Sequence, residues 1–419
     1  MNQFHKNVLL FSLLFFANCS LLPTVKSNYK YDSEIKELDI QNHIKFLSSD
    51  ELEGRFPGSK GSELAIQYMV DRFIESKLLP FESNSFLQFF EFSNIKKDAY
   101  KVANVVGYIP GLINKNEFIV IGAHFDHLGY GGPHSGSLDM NSREIHNGAD
   151  DNASGVAGML ELASKLSLYR DKLNRSIIFV GFNAEEQGIL GSKYFVENFP
   201  SSKQNIITMI NMDMIGRMKN LSLNVSGTGT SPVFDNLLDK TASKNFLNIK
   251  KSPGGYGPSD HSSFYSNDIP VLFFFTGAHS DYHKPSDDWV KINFSGQKKI
   301  IDMIYDTIIE IDQEAERPKF TESGPKSMAS SGSVRLNVTF GFMPSYANSD
   351  KGLGVDGVRS GAPASNAGIQ KGDYIVEING KLVKDIYGYM DILQTLKKGE
   401  SSSVKILRDN EEITLIVKH

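Results

Sequence analysis

The chain has 419 residues, of which 40% are hydrophobic and 22% are charged, with a formal net charge of -5 at pH 7. This length predicts two or three folding units in an ordinary globular protein. The slightly acidic charge removes the electrostatic basis for binding nucleic acid, which we exclude as a partner. The single cysteine, Cys19, excludes an internal disulfide and a thiolate metal site.

The first residues have the pattern of an export signal. Lys6 gives a weakly positive start, an apolar run extends from Val8 to Ala17, and Cys19 follows. The run is too short to span a bilayer comfortably, so residues 1–19 are predicted to be a signal peptide. The sequence FANC that ends at Cys19 resembles a loose lipobox, although an ordinary cleaved signal is the alternative. We therefore expect an exported protein, periplasmic or associated with the outer membrane, and attached to the membrane if Cys19 carries lipid.

The next part of the chain, residues 30–315, is predicted to form an α/β domain that carries the catalytic site. Amphipathic patterns predict two helices, followed by short apolar runs that alternate with further helical patterns. The alternation predicts a mixed, largely parallel sheet sandwiched by helices. The predicted strands are Phe118–Gly122, Ser176–Phe182, Ile206–Met212 and Pro270–Phe275; the predicted helices are Ile40–Leu47, Ser62–Lys77, Ala153–Leu168, Gly191–Phe199 and Ser295–Gln313.

The C-terminal part has a different character. Residues 316–333 are rich in Pro, Ser and Gly without periodicity and predict a linker. Residues 334–419 predict a small β-rich domain with two short helical patterns.

Side chains that can bind metals occur where the predicted strands end. Ligands of parallel α/β sheets gather at the carboxyl ends of the strands. Each residue alone is weak evidence, since a carboxylate pair before a helix is often an N-cap. Together, two imidazoles and three carboxylates suit a pair of divalent cations. The residues concerned are His124, Asp126, Asp150, Asp151, Glu185, Glu186, Asp213, Tyr282 and His283.

The segments AHFDH, GADDNASG, AEEQG, NMDMIG and DYHKPSD stand in this order along the chain. They resemble the motifs of the two-zinc aminopeptidases, a family that includes secreted bacterial leucyl aminopeptidases and, more distantly, glutamate carboxypeptidase. The resemblance covers roughly residues 40–313 and implies two zinc ions per chain. It implies that Asp151 bridges both ions and that the Asp151–Asn152 peptide bond is cis. The implied ligands are His124 and Asp213 for one ion and Glu186 and His283 for the other.

The resemblance also implies roles for residues that do not bind metal. Glu185 would take the proton of the attacking water, and Tyr282 would stabilise the oxyanion, unless it is only an aromatic residue packed beside the site. Asp126 would orient His124, and Asp260 and His261 would lie in the pocket wall or behind the ligands. The remaining histidines of this region are expected at the rim of the site: His127, His134, His146 and His279.

The segment GVRSGAPASNAGIQKGDYIVEINGKLV resembles a PDZ domain of bacterial periplasmic type. This resemblance implies binding of peptide C-termini by strand addition, although a purely packing role is the alternative. Because no expected ligand lies beyond the linker, we expect activity on short substrates to survive removal of this domain.

Together these patterns predict an exported, metal-dependent aminopeptidase that acts on peptides with a free N-terminus. A carboxypeptidase or dipeptidase of the same fold remains open. Glutaminyl cyclase shares the fold with one zinc, but the His124 and Asp213 pair argues against it. The alternative from another class is a non-catalytic peptide-binding protein that acts through the PDZ module; a binding protein would have no physical need for Glu185 and the full ligand set.

Overall fold

The computed structural model of the protein describes residues 34–419, apart from residues 83, 94–98, 133–134, 140–141, 328–337, 345–349, 360 and 385. The expected signal peptide with Cys19, the histidine His134 and the end of the expected linker lie outside the described residues. The described residues form one compact unit. Within the described ranges, no helix combines the length and apolar character that crossing a membrane requires.

A mixed sheet forms the centre of the N-terminal domain. Its strand order is β1-β3-β5-β4-β6-β9-β7-β8, with β2 beside β3. The central neighbours β5, β4, β6 and β9 are parallel, whereas β3 pairs antiparallel with β5 and β7 with β9. The predicted largely parallel sheet is thereby confirmed. The strands are β1 (Leu79–Pro80), β2 (Leu87–Ser93), β3 (Ala99–Ile109), β4 (Asn114–His124), β5 (Arg175–Phe182), β6 (Ile206–Met212), β7 (Ser222–Ser226), β8 (Asn248–Ser252) and β9 (Val271–Phe275).

Helices cover both faces of this sheet. Alternate residues of β4 divide between two apolar cores: Ile119 and Ile121 face one, Phe118 and Val120 the other. This division follows from the two-residue period of a strand, and it explains why the central strands are mostly apolar on both faces. The helices are α1 (Glu37–Leu47), α2 (Lys60–Glu75), α3 (Gly155–Ser167), α4 (Leu190–Glu197), α5 (Phe234–Lys244), α6 (His261–Tyr265) and α7 (Phe294–Gln313).

The C-terminal domain has a sheet and an apolar core of its own. Its strand order is β10-β11-β12-β14-β15, all antiparallel, with β13 beside β12. The short helix α8 (Pro363–Asn366) and the helix α9 (Ile386–Thr395) complete it. The strands are β10 (Phe342–Pro344), β11 (Leu353–Val358), β12 (Tyr374–Ile378), β13 (Lys381–Leu382), β14 (Ser401–Arg408) and β15 (Glu411–Lys418).

The described part of the expected linker packs on the N-terminal domain. The Thr321 N–H donates to the Thr230 carbonyl at 2.8 Å, and the Tyr265 hydroxyl donates to the Gly324 carbonyl at 2.7 Å. Lys326 pairs with Asp268. Composition predicted a linker, but it does not reveal these contacts, two of which use backbone groups of the segment.

Candidate metal centre and active-site cavity

The parallel strands bring the predicted site residues to one edge of the sheet. His124 is the last residue of β4, and in the register of the sheet it lies opposite Phe182, the last residue of β5. Asp213 follows directly after β6, which pairs with β4 on its other side. Because parallel strands end at the same edge, groups far apart in sequence meet here.

One cluster joins the ends of β4 and β6 to the loop before α3. The His124 Nε2 atom lies 3.4 Å from Asp151 Oδ1 and 3.5 Å from Asp213 Oδ1. His124 is 1% exposed and Asp151 3% exposed, so these groups face one another away from bulk water.

A second cluster shares Asp151. The His283 Nε2 atom lies 3.2 Å from Asp151 Oδ2 and 3.2 Å from Glu186 Oε2. The opposite ring nitrogen, His283 Nδ1, lies 2.9 Å from the Gly136 carbonyl, which leaves Nε2 free to act as a ligand when Nδ1 carries the proton. The carboxylate of Asp151 therefore stands between two imidazoles that approach it from different sides.

The expectation that His127 is a rim residue is wrong. His127 is fully buried, and its Nδ1 atom lies 2.9 Å from Glu186 Oε1 and 3.9 Å from Asp151 Oδ2. Its other ring nitrogen is buried without a hydrogen-bond partner in the described part of the chain. The spacing of AHFDH gave no sign of this, because the loop after β4 turns His127 towards the Glu186 side of the cluster.

The clusters have the chemistry that a divalent cation requires. Asp151 Oδ2 and Asp213 Oδ1 are buried and have no hydrogen-bond partner among the described residues. Two groups of side chains place their ligand atoms close enough to hold an ion: His124, Asp151 and Asp213, and His127, Asp151 and Glu186. Buried, unpaired carboxylate oxygens beside imidazole nitrogens fit zinc, which binds N and O donors.

The electrostatics of the cluster differ between neighbouring groups. Burial, with the nearby charge of Glu186, raises the pKa of Glu185 well above its usual range. Burial acts to lower the pKa of His124, but the facing carboxylates, Asp213 first, raise it well above its usual value. Burial likewise acts to raise the pKa of Glu186, yet the facing His283 brings it down to about 2. The pKa values of these two adjacent glutamates are thus shifted in opposite directions.

Asp126 supports the site differently from the sequence expectation. Its carboxylate accepts the backbone N–H groups of Glu185 at 3.0 Å and Glu186 at 3.2 Å. His124 Nδ1 lies closer to the Asp126 main-chain oxygen, at 3.2 Å, than to its carboxylate, at 3.8 Å. Asp126 thus fixes the loop that carries both glutamates, while its carbonyl faces the histidine ring.

Asp150, the neighbour of the shared carboxylate, points away from the clusters. Its carboxylate accepts the Gly216 N–H at 2.7 Å and lies 3.1 Å from His279 Nε2. Asp287, which the sequence did not single out, accepts the N–H groups of Asp150 and Asp151 at 2.9 and 3.1 Å. The Asp151–Asn152 peptide bond is cis, as the family resemblance implies.

The remaining expected residues lie in or beside the same region. The Tyr282 ring stacks on the His283 ring, with centroids 3.9 Å apart. The His261 ring stacks on Phe273 at 4.4 Å, and burial lowers its pKa to about 3. Asp260 is fully buried, and burial raises its pKa to about 7. His146, expected at the rim, is buried and faces the Ser137 hydroxyl at 2.7 Å.

Arg55 binds the backbone of the loops behind the site, a role that its sequence context does not predict. Its buried guanidinium donates to the carbonyls of Phe125 at 2.7 Å, Asn147 at 2.7 Å and Gly148 at 3.0 Å, and also to Leu47. Burial lowers its pKa to about 10. In the sequence Arg55 stands in a turn-rich loop, which predicts a solvated side chain.

A cavity of about 280 Å³ opens over the clusters. The N-terminal domain supplies the acidic and imidazole groups and an apolar patch that includes Met214, Phe273 and Phe275. The C-terminal domain also contributes to the lining, with Gly341, Phe342, Pro344, Gly357 and Arg359. None of the expected metal ligands lies in this domain, and its contribution to the lining is visible only in the structure.

The chain is similar to known metallopeptidases in sequence. A probable zinc metalloprotease of Phaeosphaeria nodorum is 32% identical over 123 residues, which are 28% of this chain and 24% of that protein. Aminopeptidase YwaD of Bacillus subtilis is 24% identical over 300 residues, covering 68% of this chain and 60% of the relative. The chain thus spans about a quarter of the length of the first relative and less than two thirds of the second.

Solved structures show the same fold. The Legionella pneumophila LapA aminopeptidase aligns over 70% of this chain and 79% of its own, with a TM-score of 0.53 and 21% identity. The Porphyromonas gingivalis glutaminyl cyclase aligns over 66% of this chain and 98% of its own, with a TM-score of 0.55 and 16% identity. The fold alone therefore does not distinguish a peptidase from a cyclase.

Family models separate the two parts of the chain. The model of peptidase family M28 matches residues 104–308, which contain the clusters, and that of the PDZ domain matches residues 341–418. The chain therefore contains a peptidase family M28 domain in its N-terminal part and a PDZ domain at its C-terminal end.

Proposed function

We propose that this protein is an aminopeptidase that removes N-terminal residues from peptides with the help of two zinc ions. The ligands would be His124 and Asp213 on one side and Glu186 and His283 on the other, with Asp151 shared. The observation that carries the proposal is the position of the Asp151 carboxylate, whose two oxygens face His124 at 3.4 Å and His283 at 3.2 Å.

Two ions held in this way would lower the pKa of a shared water and polarise the scissile carbonyl. Glu185 lines the cavity and belongs to neither group of ligand atoms. A carboxylate in this position can take the proton of the water and return it to the leaving amine. The Tyr282 hydroxyl would donate to the oxygen that gains charge as the carbonyl is attacked.

The surroundings of the cavity favour a substrate with a free N-terminus. Four carboxylates line it: Asp151, Glu185, Glu186 and Asp213. With two zinc ions bound, these four negative charges would be balanced, and Glu185, which is not a ligand, would be the carboxylate left to face an ammonium group. The patch around Phe273 and Phe275 suits an apolar side chain on the N-terminal residue.

A panel of small substrates tests the proposal. The purified protein is expected to hydrolyse L-leucine p-nitroanilide but not its N-acetyl derivative, to lose this activity with a chelator, and to regain it with zinc. Elemental analysis should find about two zinc ions per chain. Equal cleavage of both substrates, or full activity with one ion or none, would contradict the proposal. Release of a C-terminal residue from N-acetylated peptides would identify a carboxypeptidase instead.

We also propose that the protein is exported, to the periplasm or the outer membrane, with Cys19 as the site of a lipid anchor. The support is the apolar run that precedes Cys19 in the sequence. Cys19→Ser should release the protein from the membrane fraction or block its maturation. Unchanged fractionation, with no lipid mass on the mature N-terminus, would favour an ordinary signal peptide.

A further inference from the structure

The wall that the C-terminal domain adds to the cavity consists of the hairpin of β10 and β11. Phe342 and Pro344 belong to β10, and Arg359 directly follows β11. The Arg359 N–H donates to the Gly341 carbonyl at 2.9 Å, which extends the pairing of the hairpin by one residue. The position of Arg359 in the wall is thus fixed by backbone pairing.

The charges of the cavity are divided between its two walls. The wall from the N-terminal domain carries the four carboxylates, whereas Arg359 is the one Lys or Arg side chain among the described lining residues. Once zinc ions balance the carboxylates, the guanidinium of Arg359 would be the unbalanced charge of the cavity, which suits a carboxylate of the substrate.

The guanidinium of Arg359 is available for a ligand. Arg359 is half-buried, and within the described ranges its side chain forms no ion pair or hydrogen bond. Gly341 lies beside it: a Cβ atom at Gly341 would stand 3.5 Å from Arg359 Nη2. Arg408 of the same domain, in contrast, already has a partner. Its Nε and Nη2 atoms each donate to a carboxylate oxygen of Asp373 at 2.7 Å.

We propose that Arg359 binds the free α-carboxylate of a short peptide whose N-terminus lies at the proposed zinc ligands, so that the enzyme prefers di- and tripeptides. This inference rests on the aminopeptidase function proposed above. A guanidinium can form two parallel hydrogen bonds with a carboxylate, which gives Arg an advantage over Lys at such a site. The volume of about 280 Å³ lies at the lower limit of small-ligand pockets, roughly 300–1,000 Å³, and suits a short peptide.

The proposal differs from recognition by strand addition to the PDZ sheet. In that mode the backbone of a long peptide pairs with a free sheet edge and its C-terminus is captured by backbone N–H groups. Here the recognising group is a side chain that faces the cavity, and the peptide must be short enough to lie between the two walls.

Three substrates with the same N-terminal residue test the proposal in the full-length, zinc-loaded protein: Leu-Gly-Gly, its C-terminal amide, and L-leucine p-nitroanilide. The wild-type protein is expected to prefer the free acid over the amide by about tenfold or more in kcat/KM, since a hydrogen bond to a charged group is worth roughly tenfold or more. Arg359→Gln should abolish this preference by raising KM for the free acid, with kcat nearly unchanged.

Matched variants separate recognition from structural damage. Arg359→Lys should keep part of the preference, because it keeps the charge but not the paired geometry. Lys381→Gln removes an exposed cation of the same domain that does not line the cavity, and it should leave all three substrates unaffected. Activity of Arg359→Gln on L-leucine p-nitroanilide should stay within about twofold of wild type, because this substrate has no carboxylate.

The outcomes distinguish failure of carboxylate binding by Arg359 from failure of the aminopeptidase function. Equal kcat/KM of the wild-type protein for free acid and amide, or equal losses on all three substrates in Arg359→Gln, would overturn the proposal while leaving the aminopeptidase function intact. Absence of metal-dependent cleavage of L-leucine p-nitroanilide by the wild-type protein would instead reject the proposed function itself.

Discussion

The two walls of the cavity are built in opposite ways. On the N-terminal side, buried polar groups are held by backbone contacts: Asp126 accepts two backbone N–H groups and Arg55 donates to four carbonyls. On the C-terminal side, Arg359 is half-buried and has no side-chain partner in the described part of the chain. The first wall is organised before any ligand arrives, whereas the second has a charge whose partner must come from outside.

This difference matches two tasks. Charge that must be stabilised during bond cleavage is best served by groups fixed in advance, which need not reorganise at the moment of reaction. A group that selects among substrates must exchange water for ligand, and this favours partial exposure. Substitutions in the first wall should therefore change kcat, and substitutions in the second should change KM.

The largest expected effect is that of Glu185→Gln in the first wall. We expect kcat to fall by roughly a thousandfold or more with the zinc content unchanged, because both nucleophile activation and proton transfer fail. Steady-state kinetics and elemental analysis of the same sample measure the two quantities.

Glu186→Gln is the matched control, since the two residues are adjacent and the substitution is identical. It should lower zinc retention, because Glu186 faces His283 at 3.2 Å. Loss of zinc in both variants would show that the two roles are assigned wrongly.

A smaller effect on zinc retention should distinguish the two histidines that face Glu186. His283→Gln should abolish retention of one zinc ion. His127→Gln should weaken it by only about 10- to 100-fold, because His127 Nδ1 contacts Glu186 at 2.9 Å and so orients a ligand. Zinc titration by competition with a chromophoric chelator measures both. The reverse ranking would make His127 the ligand and His283 the supporting residue.

The smallest effect should come from removing the second wall. A chain that ends at Ser327 keeps the contacts of Thr321, Gly324 and Lys326 with the N-terminal domain. Its kcat for L-leucine p-nitroanilide should change by less than about threefold, because no group that acts in the transition state is lost. KM for Leu-Gly-Gly should rise by about tenfold, through loss of Arg359.

Kinetics of the truncated chain on a peptide of ten residues distinguish two roles of the C-terminal domain. If the C-terminal domain restricts the length of the substrate, kcat/KM for the long peptide should rise when the domain is removed. If the domain captures long peptides by their C-termini, as its PDZ resemblance alone implies, KM for the long peptide should rise instead, because a second binding site is lost. No change for either peptide would contradict a role of this wall in substrate selection.

The sequence by itself determined the fold class and located the candidate ligands. The strand Ile206–Met212 is buried at every position and mostly apolar because both faces of the sheet are covered, and this run was located correctly from the sequence. The helix α5 was missed, because it lies on the surface and few of its side chains are buried. His124 ends β4 and Asp213 directly follows β6, positions that place both at one edge of a parallel sheet. Asp151, Glu186 and His283 lie in loops farther along the chain, and the family resemblance located them.

Only the tertiary structure decided which groups support and close the site. His127, Asp287 and Arg55 act through partners 59 to 137 residues away in the chain, and no local pattern encodes such contacts. Arg359 belongs to a different domain from the ligands, so its place in the cavity depends on how the two domains lie against each other. Local sequence fixes periodicity, turns and strand ends, whereas contacts across the fold depend on the packing of the whole chain.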